Sequence, residues 1–102
     1  MKVRWSKKAT HKLLNTADYI ANEFGYSLAS AFLNEAIERA KMLESFPELG
    51  PLEEALEHKP ERFHYLTVGK KNKIIYRIKS NHIDVVDFWD VRLNPQTLIA
   101  GV

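Results

Sequence analysis

The 102-residue sequence contains no cysteine, which excludes both a disulfide framework and a thiolate zinc site. Glycine and proline are sparse, four of each, and the chain has no internal repeat, low-complexity tract or linker. No apolar run approaches the roughly 20 residues that cross a bilayer, and the opening MKVRWSKKA lacks the apolar segment of a signal peptide. A soluble, cytoplasmic protein with no membrane partner is the expectation. A glycine-rich phosphate loop, an HExxH pair and a nucleophile elbow are all missing. His11, His58, His64 and His82 are scattered over different elements, so neither a metal site nor a cofactor is expected.

What is present suffices for one core. Hydrophobic residues make up 45% of the chain and eleven residues are aromatic. A single domain over 1–102 should bury roughly 65% of the surface its unfolded chain exposes. The net charge is only +2, yet it is unevenly spread. Residues 1–12 hold five Lys or Arg and no acid, and residues 62–92 hold seven against three Asp, while acids fill the middle. That asymmetry suits a basic working surface for an anionic partner.

The chain opens with a predicted strand over Lys2 to Trp5, with Val3 and Trp5 inward, and Ser6 is placed to cap the following helix. Ala9, Leu13, Ala17, Ile20, Ala21 and Phe24 share one helical stripe over residues 7–24, which Gly25 ends. A second helix opens at Tyr26 or Ser27, buries Ala29, Leu33, Ala36, Ile37, Ala40 and Leu43, and stops at Pro47. Residues 46–61 hold three of the four prolines and read as a loop with a short helical turn near Glu53 to Leu56.

Residues 62–92 read as three consecutive strands. A symmetric turn at 69–72 sets Val68 opposite Lys73 and His64 opposite Arg77, and a two-residue turn at Asn81-His82 sets Lys79 opposite Asp84 and Lys73 opposite Asp90. Phe63, Tyr65, Thr67, Ile74, Tyr76, Ile78, Ile83, Val85 and Trp89 then share the helix-covered face. A slip of one residue exchanges the two faces. The fold class that follows is α+β: a two-layer arrangement in which an N-terminal strand and a helical hairpin pack on a mostly antiparallel four-stranded sheet.

The other face has no predicted cover. It gathers Arg62, Lys73, Arg77 and Lys79, with His64 beside Arg77, around an apolar patch of Leu66, Val68, Ile75, Val86 and Phe88, and Arg92 continues just past the sheet. Such a patch needs a partner, or the chain's own Leu98-Ile99 tail. Lys73, Ile75, Lys79, Val86 and Phe88 are therefore the partner-binding candidates. Metal-independent RNA cleavage needs a group that moves protons and cations that stabilise the phosphorane. His64 with Arg62, Arg77 and Arg92 has the chemistry for this catalytic role. Asp87 falls on the helix side by parity and needs a partner such as Tyr76 or a backbone donor.

The opening VRWSKKA before a long helix ending YIANEFG, then LESFPELG, the GKKNKIIYRI hairpin and the closing VVDFWDVRLNP resemble the RelE/ParE superfamily of type II toxin-antitoxin toxins. The resemblance runs through nearly the whole chain and implies a helical hairpin on an antiparallel sheet. It also implies growth inhibition, a role in plasmid stabilisation, and a cognate antitoxin whose extended, often acidic segment orders on binding in an oligomeric complex. Two modes of action follow from it. The RelE-like branch is a ribosome-dependent mRNA endoribonuclease, and Arg62 and Arg77 match its basic sheet residues, with Lys73 where an Arg often precedes IxY. The ParE-like branch poisons DNA gyrase without a known catalytic centre. After Trp89 the chain has neither the Tyr nor the His that commonly serves the nuclease branch, which favours gyrase inhibition. A binding module that kept the fold without toxicity is the third alternative.

Overall fold

The structure, a computed structural model, describes residues 1–101, with side chains described as far as Leu98. Strand β1 (Lys2–Trp5) leads into helices α1 (Lys7–Phe24) and α2 (Tyr26–Met42). Strands β2 (Phe63–Val68), β3 (Asn72–Ile78) and β4 (His82–Asp90) follow, and helix α3 (Pro95–Gly101) comes last. The sheet order is β1-β4-β3-β2, with β1 parallel to β4 and the other pairs antiparallel.

Local chemistry fixes the entry to α1. The Ser6 Oγ accepts from the Ala9 amide at 3.0 Å, satisfying one of the amides a helix start leaves unpaired, and the Ser6 amide donates to the Val85 carbonyl at 3.0 Å. One residue thus caps the helix and holds it to the sheet. Ala9 and Leu13 of α1, with Ala36, Ala40 and Leu43 from α2 and its end, form the helix side of the main core. The sheet supplies Leu66, Val68, Ile74, Tyr76, Ile83, Val85 and Phe88, and Phe32 meets Phe88 edge-on with centroids 5.9 Å apart. Phe24 and Ile37, expected on the buried stripes, are exposed.

The expected register is corrected in both hairpins. Val68 pairs with Asn72 across a three-residue loop that Gly69 opens at φ 60, so an odd loop replaces the symmetric four-residue turn. That single step exchanges the faces of β2. His64, Leu66 and Val68 turn toward the helices, and Phe63, Tyr65 and Thr67 turn away. In the second hairpin Ile78 pairs with Ile83, and a bulge follows in which Tyr76 pairs with Val85 but Ile75 with Asp87. The extra residue, Val86, exchanges the sides of Phe88 and Trp89 relative to the expected pattern. Arg77 therefore faces Asp84, and Lys73 faces Trp89 rather than Asp90.

The second face is not bare. Phe63, Ile75 and Trp89 form a smaller apolar cluster with Leu56, from a 3-10 turn over Glu54–Leu56, and with Leu98 from α3. The tail thus covers part of the patch through Leu98, while Ile99, the other half of that expectation, lies outside the described side chains.

Candidate functional site

The 47–53 loop runs beside β2 and builds a polar anchor inside the fold. The Tyr76 hydroxyl donates to the Pro47 carbonyl at 2.9 Å and accepts from the Gly50 amide at 2.9 Å. The ring is fully buried, and burial pushes the phenol above its ordinary value, with the Gly50 amide opposing. A Cβ on Gly50 would stand 2.1 Å from the Tyr65 carbonyl oxygen, so only glycine admits this approach. The Leu52–His64 bridge and the Tyr65 amide donating to the Pro51 carbonyl at 3.0 Å complete the seam.

His64 belongs to this anchor. Its Nδ1 lies 2.7 Å from the Gly50 carbonyl, its ring stacks on Tyr76 with centroids 5.2 Å apart, and it is 9% exposed. It does not stand opposite Arg77 on an open face as expected, because the β2 step turned it inward.

Beside the anchor lies a cavity of about 390 Å³ lined by Arg62, His64, Arg77, Ile78 and Lys79 together with Glu48 and Glu61. Arg77 is braced on two sides: its Nε donates to Asp84 Oδ2 at 3.3 Å and its Nη1 donates to Glu61 Oε2. Lys79 Nζ donates to the same Glu61 oxygen at 3.2 Å. The Lys79 hydrogen bond, with the charge of Arg77 behind it, holds the Glu61 carboxyl below its ordinary value. Asp84 also approaches His82, 2.9 Å from Nε2.

Arg92 stands apart. The turn after β4 puts it near Lys71 at the far end of the β3–β4 hairpin, and both its Nε and its Nη2 donate to Asp90, at 3.0 and 2.6 Å. This two-point contact raises the Arg92 pKa and lowers that of Asp90. Five residues of β3, roughly 17 Å at strand spacing, separate its end of the sheet from Arg77. Arg62, His64 and Arg77 come together; Arg92 does not join them.

The partner-binding candidates divide the same way. Lys79 is part-exposed at the cavity. Lys73 pairs with Glu53 at 2.7 Å and lies 4.3 Å over the Tyr65 ring. Ile75 is fully buried in the smaller cluster, and Val86 packs partly buried against it. Phe88 lies in the main core, on the side opposite to that expected, so neither Phe88 nor Ile75 presents surface in this conformation.

Asp87 shows how the bulge is closed. Beyond Trp5 and Val85 the β1 pairing stops, and α1 covers this edge of β4 with Lys12 Nζ donating to Asp87 Oδ1 at 2.8 Å and Lys8 Nζ 3.4 Å from Oδ2. The Phe88 amide donates to Oδ1 at 2.8 Å, which is the expected backbone donor; Tyr76 is not the partner. Lys12 also lies 5.2 Å over the Trp89 ring. Among the described residues no three His, Asp or Glu side chains converge as metal ligands, and no helix is long and apolar enough to cross a membrane.

Sequence reasoning missed Glu53 and Glu61 as the carboxylates that occupy Lys73, Arg77 and Lys79. It also missed Gly50 as the residue joining loop to sheet. The available signal was the acidic excess of the 48–61 loop ahead of the basic 62–92 region.

Comparisons with known proteins agree with this architecture. Residues 3–94 match the family model described as ParE toxin of type II toxin-antitoxin system, parDE. The chain belongs to that family. Among solved structures it is similar to a chain described as the chromosomal ParDE TA system from P. aeruginosa, with a TM-score of 0.74 at 21% identity, over 89% of this chain and 96% of that one. No curated protein sequence matches it.

Proposed function

We propose that this type II toxin arrests growth by binding DNA gyrase and that a cognate antitoxin neutralises it. The observation that carries the reading is the state of His64. The proton-transfer candidate of the ribonuclease set has its Nδ1 against the Gly50 carbonyl and its ring stacked on Tyr76, as a structural residue does. Two further features support it: Arg92 is held by Asp90 away from the other cations, and Arg77 is already neutralised by Asp84 and Glu61. A binding mode of inhibition needs no acid-base pair. Purified protein at micromolar excess is expected to block gyrase supercoiling in vitro. Unaffected supercoiling at that excess contradicts the reading.

One observation favours a second reading, ribosome-dependent mRNA cleavage: Arg62, His64, Arg77 and Lys79 line a single cavity. In that case protein synthesis falls before DNA synthesis after induction, and Arg77→Ala abolishes toxicity while the fold persists. Pulse-labelling of new DNA and new protein in the first minutes after induction separates the two.

A further inference from the structure

The cavity beside Arg77 is already occupied by a carboxylate. Glu61 comes from an irregular stretch before β2, is 43% exposed, and places one oxygen against both Arg77 and Lys79. Its removal would not disorder the site, because Asp84 holds Arg77 through the separate Nε contact and keeps the guanidinium aimed. Three cations and two carboxylates, Glu48 and Glu61, line the cavity. When Glu61 swings out, the cations outnumber the remaining acid and the site is preorganised for an anion.

The anion site continues into an apolar one. Glu48 and Ile78 also line a second cavity of about 590 Å³, where they are joined by Phe46, Pro47 and Leu49. Phe46 and Leu49 are exposed. A phosphate backbone uses the cationic half and leaves this apolar half empty. A peptide with an acidic residue next to a large apolar one uses both.

We infer that this double cavity docks a partner's peptide segment bearing a carboxylate beside a large apolar side chain, and that Glu61 is the chain's own occupant of the anion half, displaced on binding. The inference deepens the toxin reading, since an antitoxin is the natural source of the segment, and it is independent of the toxin's target. An internal occupant lowers apparent affinity in proportion to the time the site is filled, so releasing it tightens binding.

The test is an amide NMR titration of the full chain and its Glu61→Gln variant with the peptide acetyl-Glu-Phe-Glu-Leu-amide, with the glutamine version of the peptide as control. Shifts are expected within 46–49, 61–64 and 77–79, with Glu61→Gln binding roughly five- to tenfold more tightly. Lys79→Gln should weaken binding, and the glutamine peptide should bind more weakly than the acidic one. Unchanged or weaker affinity in Glu61→Gln overturns the proposal, as does equal binding of the glutamine peptide. Tighter binding of tetrauridylate to the same residues also overturns it, in favour of a nucleic-acid site. Growth arrest on induction keeps the two readings distinguishable: arrest without peptide binding removes only the docking site, and peptide binding without arrest removes only the toxin reading.

Discussion

The Gly50 amide donates to the Tyr76 hydroxyl at 2.9 Å, and this one bond ties the loop after α2 to the centre of the sheet. The phenol O–H in turn donates to the Pro47 carbonyl, so two loop residues depend on one buried oxygen. Tyr76→Phe leaves the Gly50 amide and the Pro47 carbonyl without that oxygen. Removing it should cost about 2 kcal/mol, read from urea unfolding. A variant as stable as the parent would mean water replaces the hydroxyl.

Gly50→Ala tests the same seam by adding volume. Its Cβ must displace the Tyr65 carbonyl, which is backbone and cannot rotate away. Overpacking of this kind costs about 2–3 kcal/mol, which in a domain of this size lowers Tm by roughly 10–20 °C. Differential scanning fluorimetry gives the answer.

Asp87→Ala removes the carboxylate that two part-exposed lysines share and leaves the Phe88 amide without its side-chain acceptor. We expect a loss of about 2–3 kcal/mol. The denaturation midpoint of Asp87→Asn should fall between those of the parent and the alanine variant. An unchanged alanine midpoint would show that hydration of Lys8 and Lys12 offsets the lost contact.

Leu98→Ala probes whether α3 belongs to the packed structure. Leu98 is 1% exposed against Ile75 and Trp89, so truncation should cost about 2–3 kcal/mol and increase binding of an apolar dye. A change below about 0.5 kcal/mol, the range of surface substitutions, would mean the cover is loosely held.

Acid should release Glu61 only well below neutrality. Its folded pKa lies below the ordinary 4.5, held there by Lys79 and Arg77, so the contact is fully present above 4.5 and is lost as pH falls through the folded value. The stability difference between the parent and Glu61→Gln should therefore be flat from neutrality down to about pH 5 and vanish only in more acid solution. A difference already fading at pH 6 contradicts this linkage.

The elements were legible because helical stripes and turn residues are local signals. Ala9, Leu13 and Ala17 announce α1, Ser6 caps it, and the strand-rich run from Phe63 contains all three later strands. The faces were not legible, because parity depends on the number of residues in each turn. Gly69 can open a three- or a four-residue loop, and the Val86 bulge leaves no compositional mark. Those two steps moved His64 and Phe88 inward. Arg62, Arg77 and Lys79 survived as neighbours since all three lie close to one end of the sheet in either register. Glu61, which Arg77 and Lys79 share, and Glu53, which pairs with Lys73, come from the loop before β2, and only the folded chain brings them across to β3.

The parallel pairing of Lys2 with His82 has a temporal consequence. The first strand to emerge during synthesis must wait for a mate made 80 residues later, while the hairpin of α1 and α2 has local contacts to form at once. Closure of the sheet is then the slow, non-local step. Until β4 arrives, Ser6 has no Val85 carbonyl to hold and Arg77 has no Asp84 to brace it. A nascent chain therefore lacks both contacts until β4 is complete, and in that interval a partner already present would meet the chain with the Arg77 cavity still unassembled.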